Sequence, residues 1–255
     1  MSKITYIALN TYRESVRDKV LYNLVLFALI LIGSSYILGQ ISIYQEVKIV
    51  KDLGLAAIAV FGTVIAIFIG IGLVSKEIDK RSLYSLLSKP VSRHQFLLGK
   101  FFGLCLTLAV NVAIMSAGLY AVLYTMTGNF EPPLLKAIYL IYFQLVVVTA
   151  LALLFSTFTS SVLSGVFTGF LYVAGHFSAD LKNLQSVVES DFLSHITRFL
   201  YYMLPNLRNF DIKARIVSGE AVPSSFLAYS SAYGLLYVAV LLIIAAVVFG
   251  RRNLK

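Results

Sequence analysis

"KEIDKRSLYSLLSKPVSRHQFLLGK", Lys76–Lys100, holds six Lys or Arg, two acids and Pro90 in its second half. Uncharged apolar runs flank it, Gly54–Val74 before and Phe101–Met126 after. Each run matches the roughly 20-residue helix needed to cross a hydrocarbon core. The charged stretch is therefore a connection between two membrane-spanning helices, and the chain is read as a membrane protein.

Four further runs extend the pattern: Leu21–Gly39, Leu134–Thr157, Ser160–Phe177 and Leu227–Phe249. The second of these carries a single cation, Lys136, near its start, and the others carry no Asp, Glu, Lys or Arg. Unpaired backbone is too costly in lipid for runs of this length to be anything but helices. The composition agrees: 59% of the 255 residues are hydrophobic and 13% are charged, against about 25% charged in soluble domains. The expected architecture is all-α, one membrane domain over residues 1–255, with spans at about 21–39, 54–74, 101–126, 134–157, 160–177 and 227–249.

Six spans put both termini on one side. With that side cytoplasmic, 13 Lys or Arg fall inside and 8 outside, and the inside ones are the more densely placed. The positive-inside rule then assigns both termini and Lys76–Lys100 to the cytoplasm. The first apolar run begins after about twenty mixed residues and lacks an A-x-A-like site, so no signal peptide is expected. Cys105, the sole cysteine, has no partner for an internal disulfide and reads as a small packing residue.

The quoted stretch writes a helix, a break and a capped helix. Ile78, Leu83, Leu86 and Leu87 partly follow helical spacing. Pro90 ends that element. Ser92 and Gln95 stand at capping-box spacing before Phe96–Leu98, and Lys100 is expected to snorkel to the interface. The stretch reads either as a topology signal or as a helical knob gripped by another protein. Before span one, Ile4, Ile7, Ala8, Thr11 and Ser15 share a helical face, which predicts an amphipathic interfacial helix on the cytoplasmic surface.

Glu77, "LLSKPVSR" at Leu86–Arg93, "LLGK" at Leu97–Lys100 and "LPNLRNFD" at Leu204–Asp211 together resemble the permease subunits of type-2 ABC exporters, including the permease of nitrous oxide reductase maturation. The resemblance extends over nearly the whole chain. It implies that the segment between spans two and three is a coupling helix docked in a cleft of a separate ATPase. Glu77, Arg81, Ser82, Leu86, Leu87, Pro90 and Arg93 are the coupling residues so implied. Many relatives have glycine where this chain has Arg81. The resemblance also implies two ATPase subunits that bind ATP and Mg, a second permease copy forming a homodimer, and an inner-membrane location. Membrane lipid and an extracytoplasmic protein are further expected partners; nucleic acid is not.

No G-x-x-x-x-G-K-[ST] occurs, so the chain lacks a phosphate cradle and is not expected to be an enzyme by itself or to hold a cofactor. His94, His176 and His195 are scattered and read as ordinary interfacial residues rather than a metal site. The absence of acids inside the spans argues against an ion-coupled carrier. A channel, or a scaffold for an outer partner, is a further alternative. Ser161, Gly165 and Gly169 recur every four residues and form a small-residue face, either for packing within the chain or for the dimer. In the long outer connection Ser178–Phe226, Leu181, Leu184, Val188, Phe192, Ile196 and Phe199 repeat at helical steps until Pro205.

Overall fold

A computed structural model describes residues 3–41, 45–79, 92–185 and 204–251, with side chains of 73–79 and 179–185 left undescribed. Among these residues there are helices and no strands. In chain order they are α1 (Lys3–Val16), α2 (Lys19–Gln40), α3 (Glu46–Asp79), α4 (Arg93–Thr127), α5 (Pro133–Ser156), α6 (Ser161–Gln185), a 3-10 turn (Leu207–Phe210), α7 (Lys213–Val217) and α8 (Ser224–Arg251). Helices α2, α3, α4, α5, α6 and α8 each contain a stretch long and apolar enough to cross a membrane. The chain is an all-α, multi-pass membrane protein.

The breaks follow local chemistry. Asp18 caps α2, its Oδ1 accepting from the Val20 amide at 3.0 Å. Gly128 ends α4 at φ 66°, the left-handed conformation glycine adopts without steric cost. Its amide closes on the Tyr124 carbonyl at 2.9 Å. Pro132 and Pro133 then start α5 where missing amide donors cost nothing. Two helices outrun their expected spans. The α3 helix continues through Glu77 and Ile78 to Asp79, and α6 continues to Gln185. The amphipathic repeat beginning at Leu181 thus extends span five instead of starting a separate element. Its members Val188, Phe192, Ile196 and Phe199 lie outside the described residues.

α5 is the axis of the bundle, packed against α3, α4, α6 and α8. Its apolar window is 72% buried, against 28% for α2, 22% for α6 and 28% for α8. The outward faces of those three carry Phe27, Ile30, Val162, Phe170, Leu236 and Ile243.

Close approach is set by glycines. On α3, Gly54, Gly62 and Gly70 stand eight residues apart, and each step turns about 80° around the helix at 3.6 residues per turn, so Gly54 faces one neighbour and Gly62 and Gly70 another. Gly54 meets Leu119 of α4; a Cβ on Gly62 would lie 2.6 Å from Leu145, and one on Gly70 2.5 Å from the Cβ of Ala152. Most membrane-embedded hydroxyls are satisfied by their own helix: Thr63 donates to Ala59 O, Thr107 to Gly103 O, Thr149 to Leu145 O and Thr168 to Ser164 O, at 2.7–3.0 Å. These are the i−4 bonds open to Ser and Thr in helices.

Opposite the chain termini, Lys51 pairs with Glu131, and the Glu131 carbonyl accepts from Tyr120 at 2.9 Å. Leu207, Phe210, Ile212, Ile216 and Val222 are all buried. The "LPNLRNFD" segment is thereby inserted in the bundle: the Asn206 amide donates to Tyr233 Oη at 2.8 Å, and Phe210 rests on Gly234.

Gly70 has the least room, because its neighbour is a Cβ on a helix and not the flexible end of a side chain. Gly70→Ala is expected to lower thermal stability in detergent by about 1–3 kcal/mol, the usual cost of overpacking. Gly169→Ala, where nothing lies within 4 Å, should leave it within about 0.5 kcal/mol. A scanning fluorescence melt compares the two.

Candidate functional site

The first three turns of α4 collect the sequence-predicted features that fall among the described residues. Ser92 has extended backbone, its hydroxyl accepts from the Gln95 amide at 3.3 Å, and the Gln95 side chain accepts from the Ser92 amide at 3.3 Å. The capping box read from the sequence is formed. It satisfies two of the orphan donors that every helix start exposes, and so fixes where α4 begins.

Arg93 follows at the first helical position. Its Nη1 donates to the carbonyls of Phe249 and Gly250, at 3.1 and 3.0 Å. Both carbonyls belong to the last described turn of α8. One turn on, the Phe96 ring stacks on Phe249 with centroids 6.3 Å apart and an interplanar angle of 21°. Both rings are buried. The end of α8 is thus fastened to the beginning of α4 by charge and by ring stacking.

The same side of α4, a turn or two further on, receives α1. A Cβ on Gly99 would lie 2.7 Å from Ile7, and one on Gly103 2.6 Å from both the Ala8 carbonyl oxygen and the Thr11 Cβ. The α1 helix forms as predicted, and its Ile7–Ala8–Thr11 face is occupied by α4. Lys100 differs from expectation for the same reason. It does not reach outward: α1 covers it, leaving its side chain 3% exposed. Its ammonium lies 3.6 Å from Glu14 and 5.5 Å from the Phe96 ring centroid. On the outer side of α1, Asn10, Arg13, Glu14 and Arg17 line a cleft of about 430 Å³.

Of the implied coupling residues, Arg93 is the one whose side chain is described. Glu77 is placed by backbone alone, in the last turn of α3, and Arg81, Ser82, Leu86, Leu87 and Pro90 lie outside the described residues. Asp79 and Ser92 bracket that segment.

The small-residue face of α6 is divided. Gly165 faces α3, with a Cβ position 3.4 Å from Ile71, whereas Gly169 has nothing within 4 Å and Ser161 is half-buried. The face buried within the chain is instead Ser164, Thr168, Gly175 and Ser178. Ser164 donates across to Ala152 O on α5 at 3.1 Å. His176 lies near the end of the apolar stretch Ser161–Ser178, where the sequence places the close of span five. It sits within α6, its Nδ1 2.9 Å from Tyr172 O and its Nε2 3.4 Å from the buried Gln144 amide. Among the described residues no group of three or more His, Cys, Asp or Glu could hold a metal ion.

Sequence reading missed the α3 glycine ladder and the Arg93 clasp. The ladder was detectable as an eight-residue glycine repeat. The clasp was not, because its partners stand 156 and 157 positions away.

The backbone oxygen of Ala8 leaves no space for a larger residue at position 103. Gly103→Val is expected to undock α1, and limited proteolysis should then cut residues 3–16 at least tenfold faster, the change matching about 1.4 kcal/mol of lost docking. Unchanged cleavage would mean that α1 is held elsewhere.

The chain matches the ABC-2 family transporter protein family over residues 5–254. No curated protein matches it. With a match that takes in nearly all of α1 and the whole of the described α8, and with six helices long and apolar enough to cross a membrane, the chain belongs to the ABC-2 transporter family as its membrane-spanning permease.

Proposed function

We propose that this permease is the membrane half of an ATP-driven exporter whose motor is a separate ATPase subunit docked on residues 77–93. The observation that carries the reading is the reinforced start of α4, fixed by the Ser92–Gln95 box and tied to α1 and α8. A push delivered just before residue 92 would not be absorbed locally, because α4 cannot fray there. Glu77, Arg81, Ser82, Leu86, Leu87 and Pro90 would form the docking surface, and the ATPase would supply ATP and Mg. Polar and charged residues suit a contact that opens and closes with nucleotide, since such surfaces remain wet.

The cation distribution supports a cytoplasmic location for both termini and residues 77–93, and the chain would sit in the inner membrane. Two permeases and two ATPases complete the assembly, with Gly169 and the exposed α6 side offered to the second permease. The outer segment, anchored at Leu207, Phe210, Ile212, Ile216 and Val222, would present a firm face to an extracytoplasmic partner, as in the nitrous oxide reductase maturation permeases that the sequence resembles.

Co-expression with the ATPase encoded nearest the permease tests the coupling. Glu77→Lys combined with Arg81→Glu should reduce co-purification at least tenfold while leaving membrane insertion intact. Native mass spectrometry of the unsubstituted complex should read two copies of each subunit, and a 1:1 complex would remove the homodimer. Full capture and full ATPase stimulation in the double variant would remove the docking assignment.

Orientation is checked separately in a Cys105→Ser background. A cysteine at Asn183 should react with an impermeant maleimide in intact cells, and one at Ser92 only after lysis. Reversed labelling would invert the chain.

A further inference from the structure

Arg93 belongs by resemblance to the surface that meets the ATPase, yet the structure turns its guanidinium inward onto another helix. The same Nη1 reaches both Phe249 O and Gly250 O. Both acceptors lie in the last described turn of α8. A guanidinium that donates to two carbonyls of another helix ties the two helices by charge-assisted hydrogen bonds. The Phe96–Phe249 stack, one turn further into α4, seals the contact from the apolar side. Both rings are buried; of the two hydrogen bonds, the one to Phe249 O is part-buried and the one to Gly250 O faces solvent.

The location gives the contact its consequence. Along its length α8 packs mainly on α5, with Tyr139 Oη 3.0 Å from Ser231 Oγ and Gly234 beside Phe143. Its last turn alone is claimed by Arg93 and Phe96. The helix is therefore joined to the axis of the bundle at one end and to the start of α4 at the other. Whatever displaces residue 92 displaces the end of α8 with it.

We infer that Arg93 is a positioning residue that transmits motion of the coupling segment to the last span, rather than a residue of the ATPase contact. This rests on the exporter reading above. In that reading the motor's stroke has two outputs from one input, α4 directly and α8 through the clasp. Lysine at position 93 could reach one carbonyl but could not supply the planar, multi-donor head.

The test separates the clasp from the docking surface. In Arg93→Gln, amide exchange in the last described turn of α8, followed by mass spectrometry on the full-length detergent-solubilised chain, should accelerate about tenfold, the loss expected when charge-assisted hydrogen bonds are removed. Co-purification of the ATPase should stay within about twofold of the parent, while permease stimulation of ATP hydrolysis falls at least fivefold. Arg93→Lys should restore part of both the protection and the stimulation. Unchanged exchange in Arg93→Gln would overturn the clasp with or without an ATPase present. Faster exchange with normal stimulation would show that the clasp transmits nothing, and loss of ATPase capture would return Arg93 to the docking surface; either overturns the inference. Failure of the unsubstituted permease to bind any ATPase would instead bring down the exporter reading, a different result in a different sample.

Discussion

Lipid offers helices no hydrophobic reason to associate, since acyl chains are as apolar as leucine. The bundle therefore depends on how closely its backbones can approach. Gly54, Gly62 and Gly70 set that distance along α3, letting Leu119, Leu145 and Ala152 of α4 and α5 press into the space where side chains would stand. The axial position of α5 follows from this contact. So does the neutrality of the interior: with little room between backbones, Thr63, Thr149 and Thr168 bond to their own helices and leave few polar groups to satisfy across the interface.

The start of α4 is built by the same device and used differently. Gly99 and Gly103 let α1 lie against the helix as closely as α3 lies against α5. Here, however, charge is enclosed as well. Lys100 is held between Glu14 and the Phe96 ring, and Arg93 is held by the end of α8. Enclosed cations need partners, and each partner belongs to a different helix. Three elements far apart in sequence are in this way required to meet at one place. A membrane domain that only had to span lipid would have no need for such a junction, and its presence beside residues 80–91 accords with a force-bearing role for that segment.

Apolar runs and helix-cap spacing are local properties, and they were legible. Leu21–Gly39 became Lys19–Gln40, Leu134–Thr157 became Pro133–Ser156, and the Ser92–Gln95 box formed residue for residue. The helices themselves run on past the apolar stretches, through Glu77 and Leu181, because a helix beyond the hydrocarbon needs no greasy residues and so leaves no apolar signal of where it ends. Contacts between distant segments were not legible. Lys100 looks like any interfacial lysine until α1 is seen to cover it, and nothing in the vicinity of Arg93 names Phe249 as its neighbour. The Ser161–Gly165–Gly169 repeat shows the limit in another form, because a stripe of small residues marks where something can approach and not what does. Gly165 is approached by α3 and Gly169 is left open.

The length of α4 has its own mechanical meaning. Thirty-five residues in one unbroken helix measure about 50 Å at 1.5 Å per residue. Rotating such a rod by about 5° around its base sweeps its tip through roughly 4 Å, about the spacing of neighbouring atoms in contact. At that tip Gly128 and the paired prolines turn the chain tightly into α5, and Lys51, Glu131 and Tyr120 bind the corner together. Angular changes too small to disturb packing at one end would thereby be magnified at the other, where this corner joins α4 to the central helix.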